Sequence, residues 1–467
     1  MGTVASPHFV IFPFMSYGHT IPLLHLATLL RHRFITVTVF TTPANAPYIR
    51  DFLGDESISV IEVPFPKDVQ DIPPGVENTE KLPSMSSLYQ FARATKLMQP
   101  LFEQALSALQ HPPTCVISDA FLGWTQESAE KIGIPRYFFF GMSVFATTFY
   151  QLLGVQRPHA QAASLDEPFT FQSFPWLKFT RNDFERPFRD LEPKGLAVDF
   201  MMEQGISFAK SRGMITNSFY ELEARFADYF NQHLGPKSWC VGPLCLAKWP
   251  MIASLSQTHN KHQHWMQWLN NKLANDQPVL YVAFGTQAEV TPEQIQEIAK
   301  GLELSNTCFL WVTRPKVLEH LHGLEERVKN RALIVKEWVD QSEVLRHESI
   351  KGFLSHCGWN SILESICAKV PILALPFMAE QHLNAKLVAE EIGVGLRIMP
   401  SNGSVRGFVE GEEVEKMVRE LMEGEKGERV SKKVKEMGEN AWEAMKEGGS
   451  SWSTLGLFID DVFAGKL

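Results

Sequence analysis

The polar side chains best suited to chemistry lie between residues 338 and 381, in turns between apolar runs. An apolar run that ends at Leu354 predicts a buried strand, and Gly358 predicts a turn. The residues from Trp359 onward have the spacing of a helix with one face in a core. A strand, a glycine turn and a helix start in this order direct backbone N–H groups and the positive end of a helix dipole at one point. This arrangement predicts an anion-binding site.

Four side chains extend the predicted site beyond a single anion. His356, Asn360 and Ser361 add hydrogen-bond donors at the same helix start, and Glu364 lies one turn further along. A carboxylate in that position can accept hydrogen bonds from neighbouring hydroxyls, such as those of a ribose. The set indicates a nucleotide diphosphate, whereas Glu364 alone would equally suit a solvated helix face.

A second group of reactive residues ends two predicted strands of the N-terminal half. His19 lies between the predicted strand 8–14 and the predicted helix 20–33, and Asp119 ends the predicted strand 114–119. Open α/β sheets place their sites at this carboxyl edge. An imidazole accepts protons near neutral pH, and a carboxylate on its second nitrogen stabilises the protonated ring. The pair suits a base and its partner; the alternatives are a capping or core histidine and an aspartate N-cap.

The stretch 338–381 resembles the signature box of the plant secondary-product UDP-sugar glycosyltransferases, the GT1 family. It has the length of that box from its first Trp to its last Gln, and it contains the family's His-Cys-Gly-Trp-Asn-Ser sequence and final Glu-Gln pair. Residues 217–221, Asn-Ser-Phe-Tyr-Glu, and the Gly-His pair at 18 and 19 resemble the same family. The resemblance therefore extends over the whole chain.

The resemblance implies a role for each matched residue of the donor site. Trp338 would stack on uracil, and Glu364 would hold the ribose. Trp359, Glu380 and Gln381 would contact the sugar hydroxyls, and a final Gln implies UDP-glucose as the donor. The positions that correspond to the family's donor-binding residues are Gly285, Thr286, Trp338, Val339, Gln341, His356, Gly358, Trp359, Asn360, Ser361, Glu364, Glu380 and Gln381.

Two departures from the family's box are visible. Val339 and Asp340 follow Trp338 where the family commonly has Ala-Pro, which changes the stiffness of the loop but leaves a main-chain contact to uracil available. Met378 stands where an aromatic residue often occurs, which alters the predicted wall of the sugar pocket.

The resemblance assigns the acceptor chemistry to the N-terminal half. His19 would deprotonate the acceptor hydroxyl, and Asp119 would hold His19. Most of the aromatic residues between 137 and 150 are predicted to pack in the core, and those in the C-terminal part of this run, together with Phe121, to line a flat apolar pocket for an aromatic acceptor. The predicted acceptor-binding residues are Gly18, Phe121, Phe140 and Ser143.

Composition and charge argue against several other classes of protein. The 467 residues are 45% hydrophobic and 21% charged, and the net charge of −9 argues against a nucleic-acid partner. No apolar run approaches the ~18 residues of a membrane span, and the N-terminus lacks the features of a signal peptide. Six cysteines without a CxxC pair suit a reducing compartment, so we expect a cytoplasmic protein with no integral membrane span. His347, His356 and Cys357 fit no standard ligand spacing, so we expect no metal and no bound cofactor, with the UDP-sugar as co-substrate.

Apolar runs alternate with helical patterns along the chain, which predicts an α/β protein with parallel sheets. With the resemblance, this implies two facing doubly wound parallel-sheet (Rossmann-like) domains in the GT-B architecture. We expect an acceptor-binding domain at 1–243, a linker at 244–262 and a UDP-sugar-binding domain at 263–449. A C-terminal helix at about 450–467 would pack back on the first domain. Residues 155–197 are predicted to be an irregular loop or cap.

These observations predict an inverting O-glycosyltransferase that moves glucose from UDP-glucose onto a hydroxyl of a small aromatic plant metabolite, such as a flavonoid or other phenolic. The alternatives are another UDP-sugar (galactose, xylose or rhamnose) or an acceptor that is a sugar, a carboxylate or a non-phenolic alcohol. A non-catalytic sugar-nucleotide binder would lack the base, yet His19 and Asp119 are both present. A dinucleotide-dependent oxidoreductase would show a GxGxxG after a strand, and the sequence has none. We expect a monomer whose partners are the donor and a small-molecule acceptor.

Overall fold

The computed structural model of the protein describes residues 7–54, 57–247, 264–321 and 323–464. Residues 248–262 of the predicted linker and 465–467 of the predicted C-terminal helix lie outside the described residues. The chain divides into two compact units, each built around one parallel sheet. The predicted fold class, α/β with two parallel sheets, is confirmed.

The strands follow the predicted apolar runs closely, because each run is short, rich in β-branched or aromatic residues and flanked by turn residues. In chain order the strands are β1 (His8–Phe12), β2 (Thr36–Thr41), β3 (Ser59–Glu62), β4 (Cys115–Asp119), β5 (Arg136–Phe140), β6 (Phe169–Phe171), β7 (Phe174–Phe179), β8 (Gly213–Thr216), β9 (Ser238–Cys240), β10 (Val279–Ala283), β11 (Cys308–Val312), β12 (Ala332–Val335), β13 (Ile350–Ser355), β14 (Ile372–Ala374) and β15 (Gly395–Arg397).

Helices connect most successive strands. In chain order they are α1 (Tyr17–His32), α2 (Ala46–Leu53), α3 (Leu88–Ala94), α4 (Gln99–Ser107), α5 (Thr125–Lys131), α6 (Val144–Gln156), α7 (Leu196–Lys210), α8 (Tyr220–His233), α9 (His264–Ala274), α10 (Pro292–Leu304), α11 (Pro315–Leu318), α12 (Leu324–Val328), α13 (Gln341–Leu345), α14 (Trp359–Cys367), α15 (Gln381–Lys386), α16 (Gly411–Glu423), α17 (Glu425–Met445) and α18 (Ser450–Ala464). A π-helical turn, Leu387–Ile392, continues α15.

Both main sheets have the doubly wound strand order. The first is β3-β2-β1-β4-β5-β8-β9 and the second is β12-β11-β10-β13-β14-β15, with every pairing parallel. In each sheet the order reverses direction once, between β1 and β4 and between β10 and β13. Such a reversal opens a crevice at the carboxyl ends of the two central strands, where α/β proteins bind ligands.

Each main sheet is covered on both faces. Phe9 and Ile11 of β1 belong to one apolar core, and Val10 and Phe12 belong to another. Because successive side chains of a strand point to opposite faces, strands that are buried along their whole length require a helix layer on each side. The same alternation in β10 divides the core of the second unit in two.

The C-terminal helix α18 packs in the core of the first unit. Leu455, Phe458 and Val462 share a cluster with the strand residue Phe9, and the rings of Phe9 and Phe458 meet edge to face at 6.0 Å. The helix therefore covers the first sheet, although it follows the second unit in the chain.

Residues 145–191 group with the second unit, whereas the predicted boundaries include them in the N-terminal domain. They also contain the antiparallel hairpin of β6 and β7, where the sequence predicted an irregular loop. Phe149 explains why this segment is ordered, because its ring lies 5.1 Å from Phe171 and 4.5 Å from Phe179. The sequence did not predict this aromatic core, because the Pro and Arg residues of the segment are typical of an exposed loop.

Three other elements differ from prediction. The apolar spacing of residues 86–110 predicts a single helix there, and this prediction is wrong, because Pro100 cannot continue a helix and instead occupies the first turn of a new one, α4. The helix α7 has no predicted counterpart because polar Gln204 and Ser207 occupy two of its buried positions. The helix α2 was missed because it is only two turns long and partly exposed.

Candidate active site

His19 and Asp119 lie together at the strand-order reversal of the first sheet. The strands β1 and β4 are neighbours, and Phe12 pairs with Ser118 at their carboxyl ends. His19 is in the first turn of α1, the helix that follows β1, and Asp119 is the last residue of β4. Topology alone therefore brings together two residues that are 100 positions apart.

The contact between them orients the imidazole. His19 Nδ1 lies 2.8 Å from Asp119 Oδ2, with the histidine side chain 27% exposed and the aspartate fully buried. A carboxylate accepts, so Nδ1 carries the proton and Nε2 is the unprotonated ring nitrogen. Oδ1 of Asp119 accepts from the backbone N–H of Phe121 at 2.9 Å, which fixes the second oxygen. Asp119 thus serves the following turn as well as His19.

A buried arginine that the sequence did not point to donates a hydrogen bond to the backbone of Asp119. Arg136, the first residue of β5, is fully buried and donates to the carbonyl of Asp119 at 3.1 Å and to the hydroxyl of Ser118 at 2.8 Å. Burial lowers the Arg136 pKa to about 9, and the Asp119 charge opposes this shift. A charged residue at the start of an otherwise aromatic strand was the available signal.

A second carboxylate approaches the loop that carries His19. Glu80 accepts from the backbone N–H of Tyr17 at 3.2 Å. Burial raises the pKa of Glu80, while its backbone hydrogen bonds and the charge of His19 lower it. Glu80 lies in a single 3₁₀ turn, Thr79–Lys81, and no local pattern marks it as part of a site.

Aromatic rings border His19. Phe121, which was predicted to bind the acceptor, has its ring centroid 5.4 Å from that of His19, and Phe14, which was not predicted, lies at 5.5 Å. A Cβ placed on Gly18 would meet no atom within 4 Å, so this position is open. Two aromatic rings, one of them from a residue predicted to bind the acceptor, therefore lie beside the imidazole.

The other two predicted acceptor residues lie differently. Phe140 packs on Phe208 at 5.9 Å, and Ser143 is completely buried. Gly141, between them, is the closer neighbour, because a Cβ there would lie 4.0 Å from His19 Nδ1.

The predicted phosphate loop lies at the strand-order reversal of the second sheet. Ala283 of β10 pairs with Ser355 of β13, so the loops after these strands start side by side. Gly285 has φ of +72°, and a Cβ there would lie 2.9 Å from His356 Nε2. A Cβ at Gly358 would lie 2.6 Å from the same atom. Only glycine leaves room for the imidazole at these two positions.

His356 is a neutral donor in this position. Burial lowers its pKa to about 4, with the backbone carbonyl of Ala283 partly opposing the shift. The adjacent helix α14 begins at Trp359 with Gly358 at its N-cap, and glycine has no side chain that could occupy the space in front of the helix. Asn360 and Ser361 lie in its first turn, and together these groups form a cradle suited to an anion.

Thr286, which was predicted to contact phosphate, is exposed in the loop after β10. An unpredicted arginine braces this loop. Arg314 donates to the carbonyl of Thr286 at 3.0 Å and also to the carbonyl of Ala288. Both contacts are to the backbone, so the sequence carries no motif for them.

Gln341 connects the two helices of the predicted nucleoside site. Its Nε2 donates to Ser361 Oγ at 2.9 Å and to Glu364 Oε2 at 2.7 Å, and its Oε1 accepts from Tyr281 at 3.4 Å. Burial, with a contribution from the charge of Asp340, raises the Glu364 pKa to about 7. The carboxyl is thus held in place by a neutral amide.

The three predicted donor-binding residues with aromatic or aliphatic side chains differ in their exposure to solvent. Trp338 is 72% exposed, whereas Val339 is 6% and Trp359 is 2% exposed. The exposed indole face of Trp338 can stack on a planar ring. The side chain of Trp359 is buried and packs in the core.

Glu380 and Gln381 lie at the start of α15. Gln381 Oε1 accepts from the backbone N–H groups of Phe377 at 3.0 Å and Met378 at 3.1 Å, which leaves its amide nitrogen for another partner. Asn384 donates to Glu380 Oε1 at 3.3 Å, so Glu380 is also oriented.

Two non-glycine residues in left-handed backbone conformations flank the predicted donor contacts. Cys357, with φ of +65°, follows His356, and Ala379, with φ of +52°, precedes Glu380. Such positions are rare and cluster at functional sites.

No group of three or more His, Cys, Asp or Glu residues within the described residues is arranged to hold a metal ion. Across the same part of the chain, no helix combines the length and apolar character that crossing a membrane requires.

Comparison with known proteins gives a consistent result. Residues 243–410 match the family model for UDP-glucoronosyl and UDP-glucosyl transferase. The chain is 50% identical to UDP-glycosyltransferase 90A1 of Arabidopsis thaliana over 97% of this chain and 96% of that protein. It is 34% identical to UDP-glucose flavonoid 3-O-glucosyltransferase 7 of Fragaria ananassa, over 97% and 96%. The fold is similar to that of Phytolacca americana UGT2 complexed with UDP-2fluoro-glucose and pterostilbene, with a TM-score of 0.79, 27% identity and coverage of 98% and 100%.

Proposed function

Since this chain belongs to the plant family of UDP-dependent glycosyltransferases, as its sequence predicted, we propose that it is an inverting O-glucosyltransferase that uses UDP-glucose and a phenolic acceptor. Members of the family use a UDP-sugar as co-substrate and transfer the sugar to small plant metabolites. The observation that carries the proposal is the contact between His19 and Asp119, which makes the outer nitrogen of a partly exposed imidazole the unprotonated, basic one.

His19 acts as the base. Its Nε2 takes the proton of the acceptor hydroxyl while the acceptor oxygen forms a bond to the anomeric carbon and the bond from that carbon to the UDP oxygen breaks. Attack from the face opposite the leaving group inverts the anomeric centre. Asp119 stabilises the imidazolium that results and holds the tautomer beforehand. A positioned base of this kind contributes about 10²–10⁴-fold in rate.

The cradle around α14 receives the charge that develops on UDP. Because His356 is neutral at physiological pH, it offers a hydrogen bond and not a positive charge. The N–H groups of the first turn of α14 and the helix dipole supply the rest of the stabilisation. This arrangement needs no strongly basic surface, in agreement with the net charge of −9.

The nucleoside and sugar bind to the remaining residues of the second unit. Trp338 stacks on uracil through its exposed face, and Glu364 accepts hydrogen bonds from the ribose diol. Glu380 and Gln381 contact the sugar hydroxyls, and Gln381 favours glucose. The Phytolacca americana protein with UDP-2fluoro-glucose supports a glucose donor by similarity.

The acceptor binds beside His19 in the first unit. Phe14 and Phe121 present aromatic rings within 5.5 Å of the imidazole, which suits a flat aromatic alcohol. The Fragaria ananassa relative is a flavonoid glucosyltransferase, and Phytolacca americana UGT2 binds pterostilbene. Both compounds are flat and aromatic, which supports this proposal by similarity.

We also propose that the protein acts as a monomer in the cytoplasm. None of the six cysteines, which all lie in the described part of the chain, forms a disulfide bond, which suits a reducing compartment. Light scattering of the purified chain tests the first part, and a single species at twice the monomer mass would contradict it.

An assay of UDP release tests the function. The full-length protein is incubated with UDP-glucose and a panel of phenols, aliphatic alcohols, carboxylic acids and glycosides, and then with UDP-galactose, UDP-xylose and UDP-rhamnose. We expect the fastest release with UDP-glucose and a phenol. Faster turnover with another sugar would overturn the donor assignment, and release only with non-phenolic acceptors would overturn the acceptor assignment.

A further inference from the structure

The second unit contains a buried cluster of charged side chains next to the proposed sugar contacts. The side chains of Arg397, in β15, and Asp183, after β7, are 6% and 1% exposed. His382, in α15, is 2% exposed. Charged groups are costly to bury, so a cluster of this kind calls for a role beyond filling space.

Arg397 lies between the other two residues. Its Nη1 is 3.8 Å from Asp183 Oδ1, and its Nη2 is 3.2 Å from His382 Nδ1. A guanidinium can only donate, so Nδ1 of His382 accepts and the ring proton sits on Nε2. Burial and the charges of Arg406, Arg397 and Arg189 lower the His382 pKa well below its usual value, so the ring is neutral.

Asp183 is a rigid anchor for this contact. Its Oδ2 accepts from the backbone N–H of Thr180 at 2.7 Å and from the Thr180 hydroxyl at 3.0 Å. Among the described residues, its Oδ1 is buried without a hydrogen-bond partner and makes only the ion pair with Arg397. Arg406 donates to the carbonyls of Asn182 at 2.8 Å and Phe184 at 3.2 Å, on either side of Asp183. The backbone at this point is therefore held to the second unit independently of Arg397.

The cluster is connected to the proposed sugar contacts because His382 and Gln381 are adjacent in the chain. His382 directly follows Gln381, whose Oε1 is already committed to the backbone N–H groups of Phe377 and Met378. The direction of the free Gln381 amide depends on the start of α15, and the contact between His382 and Arg397 is one of those that fix this start.

We propose that Asp183 and Arg397 are positioning residues for donor-sugar selection: the pair holds His382, and through it Gln381, so that the segment 145–191 acts in choosing the sugar. This inference rests on the proposed function, because it assumes that Gln381 contacts the sugar. Within the described part of the chain, the hydrogen bonds and ion pairs of Asp183 and Arg397 involve no residue of the nucleotide cradle and not Trp338, so we expect their main effect on the sugar and not on UDP.

Two conservative substitutions test the proposal in the full-length chain. Arg397→Lys keeps the charge but loses the planar fork that reaches both partners, and Asp183→Asn keeps the shape but removes the charge. Calorimetry gives Kd for UDP and for UDP-glucose. We expect Kd for UDP within about twofold of wild type and Kd for UDP-glucose about tenfold weaker, with the ratio of kcat/KM for UDP-glucose over UDP-galactose about tenfold lower.

The control is Arg327→Lys, which alters a partly exposed ion pair with Glu303 in the same unit and should change neither constant. Equal weakening of UDP and UDP-glucose, or a lower melting temperature with unchanged sugar selectivity, would overturn the proposal. Should a single variant not fold, Asp183→Asn combined with Arg397→Gln leaves no unpaired charge and gives the same comparison. Failure of the proposed function would instead appear in the wild-type chain, as no UDP release with any acceptor, while the ratio of Kd values stays measurable.

Discussion

Asp119 binds His19 Nδ1 with one carboxylate oxygen and the backbone N–H of Phe121 with the other. The two contacts leave the carboxylate no freedom to rotate, so the histidine tautomer is set by the turn that follows β4. A base prepared in this way needs no reorganisation before it accepts a proton.

Asp119→Asn should therefore lower kcat by about 10²–10⁴-fold with little effect on folding. The amide oxygen would keep the N–H of Phe121, which turns the amide N–H₂ towards His19 Nδ1. Nδ1 must then accept, so the proton moves to Nε2 and the base is lost. Steady-state kinetics with UDP-glucose and a phenol measure the effect, and a loss below about fivefold would contradict it.

His19→Ala should abolish transfer while UDP still binds. The substitution removes the proposed proton acceptor, whereas the proposed nucleotide contacts lie on residues of the second unit. Single-turnover assays measure transfer, and calorimetry measures Kd for UDP, which should stay within about twofold of wild type. His25→Ala, in the same helix, is the matched control and should retain activity. Near-full activity of His19→Ala on a hydroxyl acceptor would refute its role as the base.

Gly285→Ala should weaken UDP binding by more than backbone strain explains. The new Cβ would lie 2.9 Å from His356 Nε2, and the φ of +72° costs any L-residue about 1–2 kcal/mol. Gly393 has φ of +73° with no atom within 4 Å of a Cβ, so Gly393→Ala carries the same strain without the clash. Both variants should lose melting temperature, and only Gly285→Ala should raise Kd for UDP, by about tenfold. Equal Kd values would show that His356 does not bind the phosphate.

Phe458→Ala should destabilise the first unit without affecting UDP binding. The ring packs against Tyr137 at 4.9 Å and Phe9 at 6.0 Å, and removing a fully buried Phe costs about 3–5 kcal/mol. Thermal denaturation should show a lower melting temperature, whereas Leu457→Ala, at a position 58% exposed on the same helix, should show little change. A similar loss of melting temperature in both variants would contradict the prediction, because it would show that burial of the Phe458 ring is not what stabilises the first unit.

The sequence predicts contacts that follow from local pattern plus sheet topology. His19 and Asp119 each end a strand or start the following helix, and parallel strands bring such positions to one edge, so their contact follows once β1 and β4 are neighbours. The positions of Gly285 and His356 follow in the same way from β10 and β13. No periodicity signals the polar contacts of Arg136, because its partners come from separate parts of the chain.

The segment 145–191 shows the same limit at a larger scale. Its membership of the second unit depends on side-chain contacts such as Ser404 with Asp166 at 2.7 Å and Arg406 with the carbonyl of Asn182 at 2.8 Å. These residues lie more than 200 positions apart, and each alone suits an exposed turn. Position in the chain suggested the first domain, whereas tertiary packing decided for the second unit.

The affinity for UDP should fall below pH 7 because of Glu364. Its pKa is about 7 in the folded protein, and only the ionised carboxylate accepts from both ribose hydroxyls. The competent fraction drops about tenfold between pH 8 and pH 6, so Kd should rise by about the same factor. Calorimetry at both pH values measures this, and Glu364→Gln provides the baseline for the titration of UDP itself. A tenfold rise that persists in Glu364→Gln would assign the pH dependence to another group.

The raised pKa of Glu364 also makes the free energy of unfolding depend on pH. The folded state holds the Glu364 proton more tightly than the unfolded state, where the pKa is near 4.5, so the contribution of this group to the free energy of unfolding falls as the pH rises from about 4.5 to 7. Above pH 7 the buried carboxylate is a net cost, and Glu364→Gln should raise the melting temperature at pH 8 by roughly 2–4 °C while weakening UDP binding. At pH 4 the two proteins should melt together, since the wild-type carboxyl is then protonated in both states. If Glu364→Gln instead melts at a lower temperature than wild type at pH 8, the ionised carboxylate stabilises the folded protein, and the expected cost of burying it is refuted.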